Sequence, residues 1–214
     1  FTLATQTSHS LQFRHFRLKN RENLIRHIRG LFDPCSFRQT GRYVDIAAVG
    51  NEVLLRGDLN LDEILVYIRQ VKEALPDIPV GFVDTYYQFH EHPELVDACD
   101  VILANCYPFW EGCSIDEASK YLQQTHYITM KAAKGKPVII TETGWPTKGE
   151  ATKAAEPSLE NAMKYFLNID NWSKTANVDV FYFSSFDESW KIHHEGEVGQ
   201  RWGIWDKNEN LKFN

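Results

Sequence analysis

Short apolar runs alternate along this chain with longer amphipathic stretches, and that alternation restricts its fold more than any other feature. The runs are Phe1 to Thr5, Val44 to Val49, Ile78 to Val83, Asp100 to Ala104, Pro137 to Thr141 and Val178 to Ser184. Most are too short for helices and too continuously apolar for a sheet with one wet face, which suits strands buried on both sides of a parallel sheet. The stretches between them read as helices. Leu59 to Leu75 places Leu61, Ile64, Leu65, Ile68, Val71, Lys72 and Leu75 along one side and meets a stop signal at Pro76. Glu117 to Lys134 and Ser158 to Ile169 follow the same period.

Repeated βα units predict an α/β fold, and strand starts 22 to 41 residues apart from Val44 to Val178 fit the units of a (β/α)8 TIM barrel. A closed barrel needs eight strands and typically about 250 residues, whereas this chain has 214 and six runs. The expectation is a single barrel domain over residues 1–214, N-terminally incomplete and lacking the first two βα units. A start at Phe1 rather than Met reads as processing or trimming. Strands flanking such a gap would expose unpaired edges, which leaves three possibilities: a longer natural protein, a partner chain that fills the gap, or an open barrel.

The net charge of -6 is unevenly spread: residues 1–42 hold eight Lys/Arg against two acids, and the rest holds fifteen against twenty-seven. An acidic body argues against nucleic acid as a partner. In the basic part, Arg14, Arg17, Lys19, Arg21, Arg26 and Arg29 interleave with Leu24, Ile25, Ile28 and Leu31 at helical spacing, which predicts a solvated helix. Cys35, Cys99, Cys106 and Cys113 lack CxxC spacing and read as thiols rather than metal ligands. His193 and His194 have no patterned carboxylate beside them, so neither a metal nor a cofactor is expected. No run approaches the ~18 apolar residues of a membrane span, and no signal peptide is visible.

The ends of the apolar runs carry the chemistry. Asn51-Glu52 closes one run, and Glu142 closes another, followed by Thr143-Gly144-Trp145-Pro146. Carboxylates at the carboxyl ends of parallel strands stand where barrel enzymes keep their active sites. A Glu there is equally consistent with an ion pair across a barrel mouth. Asn51 beside Glu52 would hold a sugar hydroxyl, and Trp145 beside Glu142 would offer a flat face for stacking. Glu188, Trp190 and Lys191 follow the last run, while Asn105, Tyr107 and Trp110 follow another. Asn105 suits its own turn before Pro108 as well as a substrate. Tyr86 and Tyr87 suit a sugar platform or plain rim packing. Asp84 and Glu91 suit helix capping as well as substrate contact. Trp202 and Trp205 flank Gly203 and Ile204 in a strand-like pattern that buries at least one of them.

Val49-Gly50-Asn51-Glu52-Val53, Asn105-Cys106-Tyr107-Pro108-Phe109, Thr141-Glu142-Thr143-Gly144-Trp145-Pro146 and Phe186-Asp187-Glu188-Ser189-Trp190-Lys191 together resemble, in order, the signature segments of glycoside hydrolase family 17. The segment from Glu195 to Trp205 is similar to its bacterial and fungal branch, and the match runs from about Tyr43 to Phe213. The resemblance implies a (β/α)8 barrel acting on β-1,3-glucan with retention of configuration. It implies Glu52 as acid/base after barrel strand four and Glu142 as nucleophile after strand seven, the 90 residues between them fitting three βα units of about 30. Glu188 and Lys191 match a secondary pair near those carboxylates, and Trp202 is a site candidate by family position. Tyr107 or Lys191 near Glu142 would keep it ionised while Glu52 holds a proton. Members of this branch include hydrolases and transglycosylases that elongate or branch glucans, some fused to membrane synthases; a membrane is implied only in that case. A non-catalytic glucan-binding fragment is the other class. A polymeric substrate implies a place outside the cytoplasm, extracellular or periplasmic.

Overall fold

The computed structural model describes residues 2–7, 10–15 and 44–213. The chain divides into two compact units, one of Phe1–Leu103 with Ala132–Pro137 and one of Ala104–Lys131 with Val138–Asn214.

In the first unit, β3 (Ile46–Asn51) pairs in parallel with β4 (Val80–Thr85). The helix α1 (Leu61–Ala74) connects them, as a βα unit requires. Asn60 and Glu63 close a capping box at its start, each side chain accepting the other's main-chain N–H, which satisfies two donors the first turn leaves open. Its buried face is Ile64, Ile68 and Val71, and Ala47, Ala48, Val80 and Phe82 of the two strands are buried as well. Lys72, expected on that face, instead reaches the Asp100 carboxylate at 2.5 Å. The short helices α2 (Tyr86–Glu91) and α3 (Pro93–Ala98) follow β4 and lead to β5 (Val101–Asn105).

The N-terminal strand differs from the barrel expectation. β1 (Thr2–Thr7) forms a hairpin with β2 (Ser10–His15) and runs antiparallel to β3, with Ala4 opposite Ile46 and Thr2 opposite Ala48. A hairpin strand cannot be one step of a right-handed βαβ crossover, so β1 is not a barrel strand, and it covers the β3 edge expected to be bare. Arg14 lies on β2 rather than on a helix; the rest of the basic amphipathic stretch lies outside the described residues.

In the second unit, β6 (Val138–Thr143) pairs in parallel with β7 (Val180–Tyr182) through the connecting helix α6 (Leu159–Ala176). Ser158 caps α6 by accepting the Asn161 N–H, and Asn177 ends it in the left-handed conformation that a C-terminal cap favours. α4 (Pro108–Glu111), α5 (Ile115–Ala132), a 3-10 turn at Ser189–Lys191 and α7 (Ile192–Gly199) complete the described elements. Leu122, Ile140, Trp145, Tyr165, Phe109 and Ile169 form its core.

Candidate active site

Each candidate carboxylate stands where a strand end leaves regular register. On β3, Val49 faces Phe82 and Asn51 faces Val83, so Gly50 is an extra residue. It takes φ +76°, and a Cβ there would stand 2.8 Å from Cγ2 of Val53. This is the geometry of a glycine bulge, a device that re-aims the side chains after it. Glu52 follows at φ 53°, a left-handed conformation that a non-glycine residue holds only when its surroundings impose it. Its N–H donates to the Val83 carbonyl (2.9 Å). Arg56 stands 4.0 Å from Glu52 Oε2 and donates to the Asn51 carbonyl at 2.8 Å. Asp84 lies fully buried beside this turn. Its carboxylate accepts the N–H groups of Leu54 (3.0 Å) and Thr85 (2.8 Å). Burial pushes the Asp84 carboxyl above its ordinary value against those bonds, and the charge of Glu52 pushes the same way. Tyr86 opens α2 with its ring edge-on to Tyr87 at 5.6 Å.

On β6, Ile140 faces Val180 and Thr143 faces Tyr182, so three steps on one strand meet two on the other and Glu142 lies in the irregularity. The Tyr107 hydroxyl donates to Oε2 of Glu142 at 2.7 Å. Main-chain pairing holds the same residue, since the Cys106 N–H donates to the Glu142 carbonyl (2.9 Å). Trp202 and Phe183 stand edge-on to the Tyr107 ring, at 5.3 and 6.2 Å between centroids. Gly144 is required two residues past Glu142, because a Cβ there would run into the carbonyl oxygen of Phe183. Lys191 pairs with Glu188 at 2.8 Å and sits 4.1 Å above the Phe183 ring. Trp110 leaves 43% of its surface open and tilts against Trp202 at 5.6 Å.

Packing bears on three sequence expectations. Trp145 offers no face for stacking: it is fully buried, packs against Phe109 and Tyr165, and its indole N–H donates to the Glu156 carbonyl (3.0 Å). A tryptophan after a strand end is as useful to the core as to a ligand, and neighbours that close over it decide which. Trp202 is the buried member of its pair and Trp205 is half-buried. Asn105 is buried and accepts a hydrogen bond from the Thr141 hydroxyl (2.8 Å) across neighbouring strand ends. Among the described cysteines, Cys99 and Cys106 are buried thiols and Cys113 is half-buried.

Sequence reasoning left two groups without a site role. Asp84 follows the apolar run Val80 to Val83 with the same strand-end signature as Glu52, and that signal was available. Asp187 is buried, accepting from Lys212 (2.8 Å) and from the Gly203 N–H (3.0 Å), while Lys212 also donates to Thr147 (2.9 Å). Nothing in the sequence distinguishes Lys212 from a solvated lysine.

The BtgE/BtgC glycoside hydrolase domain matches residues 24–203. The chain belongs to glycoside hydrolase family 17. It is 32% identical over 182 residues to a glucan 1,3-beta-glucosidase of Arthroderma benhamiae, covering 78% of this chain and 59% of that protein. Among solved structures it resembles the family 17 beta-1,3-glucanosyltransferase from Rhizomucor miehei, with TM-score 0.73, 37% identity and coverage of 78% of this chain and 62% of that one. An active-site mutant of the Rhizomucor miehei beta-1,3-glucanosyltransferase in complex with laminaritriose gives TM-score 0.74 and 33% identity, covering 86% of this chain and 69% of that one. The chain thus spans about three fifths of the length of the first relatives it matches. The likeness to family 17 supports the α/β, (β/α)-barrel fold class expected from the sequence.

Proposed function

We propose that this family 17 chain carries the catalytic carboxylates of a retaining enzyme acting on β-1,3-glucan, with Glu142 as nucleophile and Glu52 as acid/base. The observation that carries the reading is the Tyr107 hydroxyl on Glu142 at 2.7 Å. A donor at this distance favours the ionised carboxylate, the form a nucleophile needs, and fixes which oxygen is left to attack. Retention requires the two carboxyl groups ~5 to 5.5 Å apart.

In the first step an oxygen of Glu142 bonds to the anomeric carbon, the glycosidic bond breaks, and Glu52 gives its proton to the departing oxygen. In the second, the Glu52 carboxylate takes a proton from an incoming hydroxyl, whose oxygen bonds to the anomeric carbon and releases Glu142. Water as acceptor gives hydrolysis, the primary reading. A sugar hydroxyl gives transfer, favoured by the 37% identical neighbour, described as a glucanosyltransferase. Trp110, with its exposed face, is the proposed sugar contact; Glu188 and Lys191 support it.

The same reading proposes a site of action outside the cytoplasm, where the polymer lies. Among the described residues no helix is long and apolar enough to cross a membrane. The test is incubation with laminari-oligosaccharides beside Glu142→Gln. Product from the unchanged protein alone supports the assignment, and equal product from both refutes it. Products longer than the substrate identify transfer.

A further inference from the structure

Resting on that reading of Glu52, we propose that Asp84 is its positioning residue: the buried Asp84 carboxylate clamps the turn after β3 and thereby fixes where the acid/base stands. Glu52 opens a tight turn, and its own N–H already meets β4 at the Val83 carbonyl (2.9 Å). Its left-handed φ of 53° is unfavourable for a residue with a Cβ, and the main-chain bonds of the turn run from Arg56 N–H to the Glu52 carbonyl (3.1 Å) and from Asp58 N–H to the Val53 carbonyl (3.0 Å). Asp84 adds a second tie from this turn to β4. One carboxylate oxygen takes the Leu54 N–H and the other takes the Thr85 N–H, so the same side chain grips the turn two residues past Glu52 and its own strand end. Such bonds to an ionised acceptor are about twice as strong as neutral ones.

An apolar residue would fill the same space. A carboxylate is costly there, since it is fully buried and burial raises its pKa against the bonds it accepts. Burying an acid to hold two main-chain donors costs the fold stability whatever its use, and a fixed position for the second acid is the role proposed for it. The cost falls on the unit, and the gain falls on Glu52.

The test compares Asp84→Ala and Asp84→Asn with the unchanged full chain on two substrates. One is a laminari-oligosaccharide, whose leaving oxygen needs a proton; the other is a 2,4-dinitrophenyl β-glucoside, whose leaving group needs none. kcat/KM reports formation of the glycosyl-enzyme. A mispositioned acid lowers it about 10²-fold on the oligosaccharide and by no more than about threefold on the aryl substrate, with Asp84→Asn intermediate. A merely structural role lowers both in parallel with the folded fraction, and that result overturns the proposal. Should Asp84→Ala fail to fold, the ratio in Asp84→Asn decides alone. An unchanged protein inactive on both substrates refutes the reading of Glu52 and Glu142 instead. The clamp is then read by hydrogen exchange in Asp84→Asn: the Leu54 amide loses protection about tenfold or more while the Ile68 amide keeps its own, and unchanged Leu54 protection overturns it.

Discussion

Replacing Tyr107 by Phe removes one hydroxyl and leaves the ring contacts to Trp202 and Phe183 in place. The lost bond is 2.7 Å long and ends on a carboxylate oxygen, and hydrogen bonds to charged groups contribute about 1.5 to 3 kcal/mol net. At about 1.4 kcal/mol per factor of ten, the loss in kcat/KM is roughly 10- to 150-fold where the bond strengthens by that amount between the free chain and the transition state. Tyr107 is half-buried, so the deleted oxygen leaves only a small gap, and stability should change by no more than about 1 kcal/mol. The assay is initial release of reducing ends from laminaripentaose below KM, with urea unfolding of the same samples as control. Activity within threefold of the unchanged protein would refute the role given to this bond, and a fall matched by lost folding would assign it to stability.

Lys212→Met breaks a buried ion pair and leaves Asp187 with the Gly203 N–H and with Arg201 at 3.6 Å, so urea unfolding should show a loss near the low end of the usual range, about 3 kcal/mol; an unchanged midpoint would contradict it. Burial pushes the Cys99 and Cys106 thiols from 9.0 up to about 12. Below pH 9 both folded and unfolded chains keep these protons, and above it the unfolded chain alone releases them. Stability therefore falls as pH rises from 9 to about 12, by ~1.4 kcal/mol per pH unit and thiol. The slope should shrink in a Cys99→Ala, Cys106→Ala double variant, and equal slopes in the two proteins would sink the prediction. Trp145→Ala should cost about 3 to 5 kcal/mol of stability, whereas Trp110→Ala should raise KM with little change in unfolding, and the reverse pattern would exchange their roles.

The periodic elements were legible because burial repeats with the backbone. Ile64, Ile68 and Val71 mark α1, and the runs at Val80 and Val138 mark β4 and β6, since each is set by contacts close in sequence. The antiparallel pairing of β1 with β3 was not, because Ala4 meets Ile46 across 42 positions of chain, and Phe1 to Thr5 reads equally well as a parallel strand. The two carboxylates were legible as strand-end residues, yet the bulges that aim them were not, since the register of a parallel pair is a property of both strands. Trp145 and Trp110 show the same limit from the side of composition. Both follow strand ends near Glu142 or Tyr107, and only packing separates a core indole from an exposed one. Asp84 was weighed as a helix cap, a partner of basic loops or a substrate contact, and the role it takes was not legible because the Leu54 N–H it accepts is 30 residues away.

The most direct test of the central claim is to trap the glycosyl-enzyme with an activated 2-deoxy-2-fluoro β-laminaribioside and digest the quenched protein for mass spectrometry. The account predicts one added laminaribiosyl group, carried by the peptide containing Glu142 and absent from Glu142→Gln. A label on any other residue, or turnover without a trapped species, would contradict it.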